Sequence, residues 1–250
     1  MKTGRAALPR DHRRSSTPFF GILRAVALGL PGIVAVVLLV PPPPGIPAIA
    51  LAVNPVIVLC AAGFAGSFAA PRLGLRSAIL LGDTLPLRSL LVAFGLGAML
   101  GLGLAGLDCA TASIWRGSGS NLPALCESSG LTSLALGFLY GGVTEELIMR
   151  WGVLSIITLG FSMLTPIRWA MGLAVILSAA LFALAHLPAL WLATPDPTTA
   201  ALIRTLVLNT VAGLVFGLLY VRSGLEAAML SHIGFHCGAL ASGLVIGLTV

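Results

Sequence analysis

Apolar runs of about twenty residues, parted by proline-rich or polar breaks, recur along the whole chain, and nothing else in it restricts folding so severely. A run of that length crosses a bilayer as one helix. The runs predict helices near 19–41, 46–70, 88–107, 131–150, 152–165, 169–188, 200–221 and 224–250. Pro41–Pro44, Pro71, Pro166, Pro195 and Pro197 stand at the breaks, as residues that end helices. Arg72–Pro86 reads as an interfacial helix or loop. Composition excludes a water-soluble enzyme: hydrophobic residues are 58% of the chain, charged ones 9%, and the mean hydropathy is +1.05, whereas soluble domains are near a quarter charged. The expected fold class is all-α, a polytopic transmembrane helix bundle of about eight helices, with seven possible.

Charge gives the expected orientation and domain plan. Lys2, Arg5, Arg10, Arg13 and Arg14 against Asp11 make residues 1–18 a basic tail that reads as cytoplasmic. A nucleic-acid reader would spread basic and aromatic residues over a folded face, so no nucleic acid is expected as a partner. Residues 19–107 carry the N-terminal spans, 108–130 a polar extracytoplasmic loop, and 131–250 the remaining helices. The protein is expected to be integral and multi-pass in a bacterial cell membrane, with the lipid bilayer as its first partner and an oligomeric state the sequence does not give. Cys109 and Cys126 flank the polar loop and could pair in an oxidising compartment, while Cys60 and Cys237 lie inside apolar segments as packing residues. Gly95, Gly97, Gly101 and Gly103 give spacings that let helix backbones approach closely.

The informative residues are ionisable groups at membrane depth, each costly to bury unless paired or hydrated. Glu145 and Glu146 are adjacent in GGVTEELIMR, His186 lies in LFALAHLP, and His232 and His236 in LSHIGFHCG. Glu146 and Arg150, four apart, share a helix face and can form an ion pair, while Glu145 points roughly 140° away from Arg150 and is free to face a cavity. Phe182 can pack against His186 one turn on, and His232 and His236 share a face. A free carboxylate with a neutral imidazole is a competent pair for activating water. Two further imidazole N–H groups can stabilise an oxyanion. That is the chemistry of peptide-bond hydrolysis in a water-filled cavity.

At these residues the chain resembles the CPBP family of CAAX-prenyl-protease and bacteriocin-processing (Abi-type) intramembrane glutamic endopeptidases. The family pattern is Glu-Glu-x-x-x-Arg, Phe-x-x-x-His and His-x-x-x-Asn or Asp on separate helices. It is met here by Glu145-Glu146-x-x-x-Arg150, Phe182-x-x-x-His186 and His232-x-x-x-His236, with Trp151-Gly152 and GLVFGLLYVRSGLEAAMLSH as family-like context over about 131–245. The resemblance implies an endopeptidase acting on a membrane-associated protein or peptide. It implies Glu145 as water-activating base, His186 as its partner, and His232 with His236 as the oxyanion-stabilising pair. His236 departs from the family's Asn or Asp.

That departure keeps a second reading open: Glu145, His186, His232 and His236 as a zinc site with catalytic water. The first reading needs no cofactor. A non-catalytic immunity or scaffold protein of the same fold is a third reading. A proton-coupled carrier is a fourth, which the missing internal repeat disfavours. The span count is tied to the site. An unbroken 131–165 helix gives seven spans and places Arg168 and Arg222 inside, as the charge rule asks. A break after Arg150 gives eight spans and is expected, because it brings Glu145 and His186 to the same, cytoplasmic, membrane face.

Overall fold

The structure, a computed structural model, describes residues 18–116, 122–127 and 130–249. The basic tail falls outside them, as does part of the cysteine loop. Among the described residues every regular element is a helix. They are α1 (Pro18–Leu39), α2 (Ala50–Leu73), α3 (Ala78–Leu81), α4 (Leu87–Ala110), α5 (Ala112–Trp115), α6 (Leu131–Leu136), α7 (Ser155–Ser162), α8 (Ile167–Ala185), α9 (Leu187–Ala193), α10 (Thr199–Ser223) and α11 (Leu225–Thr249). A 3₁₀ turn covers Leu125–Glu127, and two π-helical stretches, Gly137–Glu145 and Leu147–Leu154, join α6 to α7. Among the described residues, six helical segments are long and apolar enough to cross a membrane. Large apolar side chains cover their outward faces, among them Leu38, Met99 and Leu192.

The rod from α6 to α7 is the seventh long helix, and it does not break after Arg150. The six apolar segments and this rod are consistent with the expected bundle of seven or eight helices. No proline interrupts the rod, and its middle is packed too tightly to turn. Trp151 is fully buried and lies against Gly66 of α2, and a Cβ on Gly152 would stand 2.5 Å from the Ala62 methyl. Nor is a break needed to bring Glu145 to His186. The rod descends to Ser162 and α8 climbs back, so a residue midway down the rod meets the C-terminal end of α8. Pro71 likewise does not end α2, which continues to Leu73, and α3 occupies part of the predicted interfacial segment.

The two ends of the bundle differ. At one end lie the start of α1, the end of α2 and the start of α4. The α10–α11 hairpin joins them there: the Leu225 amide donates to the Arg76 carbonyl at 3.0 Å, and Arg76 donates to the Arg222 carbonyl at 2.8 Å. Gly224, with φ +101°, makes that tight turn. At the other end the close of α4 meets the start of α10. Arg204 holds Asp108 by two bonds of 2.7 and 2.5 Å, and Thr198 donates to the Trp115 carbonyl. Cys109 and Cys126 are joined by a disulfide at this end, while Cys60 and Cys237 are free.

Helices α4 and α11 run parallel in near backbone contact, which fixes the height of the α11 histidines. A Cβ on Gly97 or Gly101 would strike the Ser231 or Phe235 carbonyl, and one on Gly234 or Gly238 the backbone of Phe94 or Ala98. Two interlocked Gly-x-x-x-Gly faces thus meet. Gly95 and Gly103, also singled out by their spacing, face open space.

Candidate active site

One cavity of about 450 Å³ receives Glu145, His186, His232 and His236 together, a size that suits a ligand rather than a single water. The rod contributes Glu145, the end of α8 Phe182 and His186, and α11 the other two histidines. Apolar walls from α9 and α10, including Leu190, Leu208 and Phe216, enclose them.

The two glutamates divide as their spacing predicts. They sit where the two π-helical stretches meet, a backbone form frequent at functional sites. Glu146 and Arg150 are fully buried, with carboxylate and guanidinium 3.1 Å apart. The three guanidinium nitrogens have no well-aimed hydrogen bond among the described residues, so the contact is Coulombic. The cation also lies 5.0 Å from the Phe182 ring centre and 5.8 Å from that of Phe216, favourable ground for a desolvated arginine. Glu145 has no hydrogen-bond partner among the described residues and lines the cavity.

His186 is held by Phe182 twice. The rings meet edge to face at 4.6 Å, as the four-residue spacing predicts, and His186 Nδ1 lies 2.8 Å from the Phe182 carbonyl. A carbonyl only accepts, so Nδ1 carries a proton and Nε2 of the neutral ring is left with a lone pair.

His232 is more constrained than the sequence indicates. Its Nδ1 is 2.9 Å from Glu146 Oε1, so Glu146 serves Arg150 and His232 at once. The ring is sandwiched between Phe216 at 4.5 Å and His236 at 5.2 Å, both nearly parallel to it. His236 lies flat on the rod, where Gly137 and Gly141 leave room. A Cβ on Gly137 would come within 2.6 Å of its ring, and one on Gly141 would stand 3.0 Å from its Nε2 and 3.1 Å from Nε2 of His232. The two Nε2 atoms therefore converge over bare backbone, and that of His236 is buried without a partner among the described residues.

Sequence reasoning missed Glu146 as the partner of His232, Phe216 as its stacking face and the two glycines beneath His236. It missed Asp108 with Arg204 as well. None of these contacts is local in sequence, and a buried phenylalanine or glycine on an apolar helix carries no distinguishing signal. The zinc arrangement is a different matter. Among the described residues no three His, Cys, Asp or Glu side chains are grouped closely enough to hold a metal ion.

No curated protein and no solved structure matches the chain. Residues 127–238 match the family model described as type II CAAX prenyl endopeptidase Rce1-like. All three motifs, with Glu145, His186, His232 and His236, lie inside the matched segment, which points to a CAAX-protease-like endopeptidase. Over that segment, a little under half of the chain, the sequence is similar to the Rce1-like type II CAAX prenyl endopeptidases.

Proposed function

We propose that this protein is an intramembrane endopeptidase that hydrolyses a membrane-associated protein or peptide with water activated by Glu145 and His186. The observation that carries the reading is the gathering of Glu145, His186, His232 and His236 on one cavity while Glu146 and Arg150 neutralise each other behind it.

Each role follows from what its atoms have left to offer. Glu145, with no competing donor, accepts a proton from water, and the Nε2 lone pair of His186 holds and orients that water. The hydroxide oxygen bonds to the scissile carbonyl carbon, and the negative charge passes to the carbonyl oxygen. The converging Nε2 positions of His232 and His236 support an oxyanion there. His232 already gives its Nδ1 proton to Glu146, so it donates from Nε2 only as the doubly protonated ring, and with Glu146 already matched by Arg150 the extra positive charge is the one the oxyanion neutralises. His236 donates from Nε2 as a neutral ring. Collapse breaks the C–N bond, and the proton taken up by Glu145 goes to the departing amine. The spread of the donors favours this over a zinc-bound water.

Glu145→Gln keeps shape and removes the base. In cells carrying it, an uncleaved precursor should accumulate in the membrane proteome, and purified wild-type protein should cleave that precursor in strong chelator. Normal processing with Glu145→Gln would overturn the base assignment, and chelator-sensitive activity with stoichiometric zinc would overturn the metal-free one.

A further inference from the structure

The cavity belongs to one half of the bundle, and the charge distribution names that half. Arg72, Arg76, Arg88, Arg168 and Arg222 all fall at the end where α1 begins, with Asp83 and Glu226 as the acidic residues there. The basic tail precedes α1 and joins the chain at this same end. At the opposite end Arg116 and Arg204 are each paired, with Glu127 and Asp108, and the Cys109–Cys126 disulfide closes the loop beside them. Basic loops stay cytoplasmic, and stable disulfides form in oxidising compartments. Two independent rules therefore give one orientation.

The cavity lies at the disulfide end. Its lining includes Leu122 and Leu125 of the disulfide-bonded segment, Ser133 near the start of the rod, Ala193 at the end of α9 and Arg204 near the start of α10. Helix α8 has 19 residues, a climb of about 28 Å from the basic end at 1.5 Å per residue. The apolar segment runs on through α9 to Ala193, so His186, just beyond α8, lies in the half of the membrane away from the basic end. His232 and His236 form the floor near mid-depth.

We infer that the active site opens to the extracytoplasmic face. Its substrates are then membrane-anchored polypeptides whose scissile bond enters the cavity from the outer side of the bilayer. Cytoplasmic lipidated C-termini cannot reach it without crossing the membrane. This rests on the proteolytic reading for the word substrate, whereas the side of access does not.

The test separates the two. In a Cys60→Ala/Cys237→Ala background, Ser133→Cys places a thiol on the exposed cavity wall, and Thr84→Cys places one in the exposed loop between α3 and α4. A membrane-impermeant maleimide applied to intact cells should label Ser133→Cys and should reach Thr84→Cys only after permeabilisation. The reverse pattern overturns the inference whether or not the protein is active. Sequencing the new termini lost in Glu145→Gln cells should then place the cut bond on the extracytoplasmic side of its anchor. A cut on the cytoplasmic side overturns the substrate class. If no terminus is lost, the proteolytic reading fails and the labelling still decides the side.

Discussion

Glu146 lies between Arg150 and His232, one carboxylate oxygen 3.1 Å from the guanidinium and the other 2.9 Å from the imidazole Nδ1. A glutamate that the sequence assigns to helix stabilisation thus also aims a cavity-lining histidine and holds a proton on its Nδ1.

Its two jobs can be separated. Glu146→Gln alone should lower folded yield, because removing one member of a buried pair strands the other at about 3–5 kcal/mol. Glu146→Leu with Arg150→Met replaces the pair by apolar groups of similar size and should restore thermal stability in detergent. Proteolysis should stay at least about 10²-fold down, since His232 Nδ1 then has no acceptor and its Nε2–H loses its aim. Full activity in the stable double variant would reduce Glu146 to a structural residue.

How much was legible in the sequence depended on range. Helical spacing of four placed Glu146 on Arg150 and Phe182 against His186, because both partners lie on one helix and the geometry is local. The roughly twenty-residue period of apolar runs gave the helical bundle. What spacing could not give was the relation between helices. A break after Arg150 is expected because, by span counting, an unbroken helix leaves Glu145 far from an outer His186. Yet the unbroken rod carries Glu145 to the cavity that His186 also lines, a match of depths between helices that spacing along one helix does not contain. The glycines show the same limit: Gly97 and Gly101 seat α11, while Gly95 and Gly103, identical by spacing, face open space.

The mouth of the cavity depends on Asp108, whose side chain is fully buried. It accepts two bonds from Arg204 and a third, at 2.8 Å, from the Leu125 amide. Arg204→Ala should therefore be among the more destabilising single changes, about 3–5 kcal/mol, because it leaves a buried carboxylate without its cation. Asp108→Asn with Arg204→Met should recover much of that loss. A scanning thermal assay in detergent checks both, and an unaltered melting temperature for Arg204→Ala would show that the pair contributes nothing.

Glu127 ties the same segment down. The Ala124 amide donates to its carboxylate at 3.0 Å and is the main reason its pKa lies below the usual carboxylate value. Partial desolvation opposes this, and Arg116 adds to it. A depressed carboxylate contributes stability that is present above the ordinary value of 4.5 and is lost as pH falls through the lower folded-state value. Hydrogen exchange in residues 122–127 should therefore be protected relative to Glu127→Gln at neutral pH, and the difference should persist to about pH 4.5 and vanish below it. Equal exchange at neutral pH would contradict the tie.

His236 and Gly137 should be coupled, because the imidazole occupies the space a Cβ on residue 137 would need. Gly137→Ala places a methyl 2.6 Å from the ring, so the ring must move, and its Nε2 leaves the point it shares with His232. Activity should fall about 10²–10³-fold, the usual cost of an oxyanion donor, with the helical fold kept. His236→Asn removes ring atoms from that space and still offers an N–H, so it should keep substantial activity, unlike His236→Ala. In the His236→Asn background, Gly137→Ala then has less to displace and should cost less than about tenfold. A double-mutant cycle on proteolysis reads this directly, since residues in contact give interaction terms of about 0.5–3 kcal/mol. Additive effects would mean that His236 does not act from its seat on the rod. Loss of activity in His236→Asn together with loss of bound zinc would instead make that nitrogen a metal ligand.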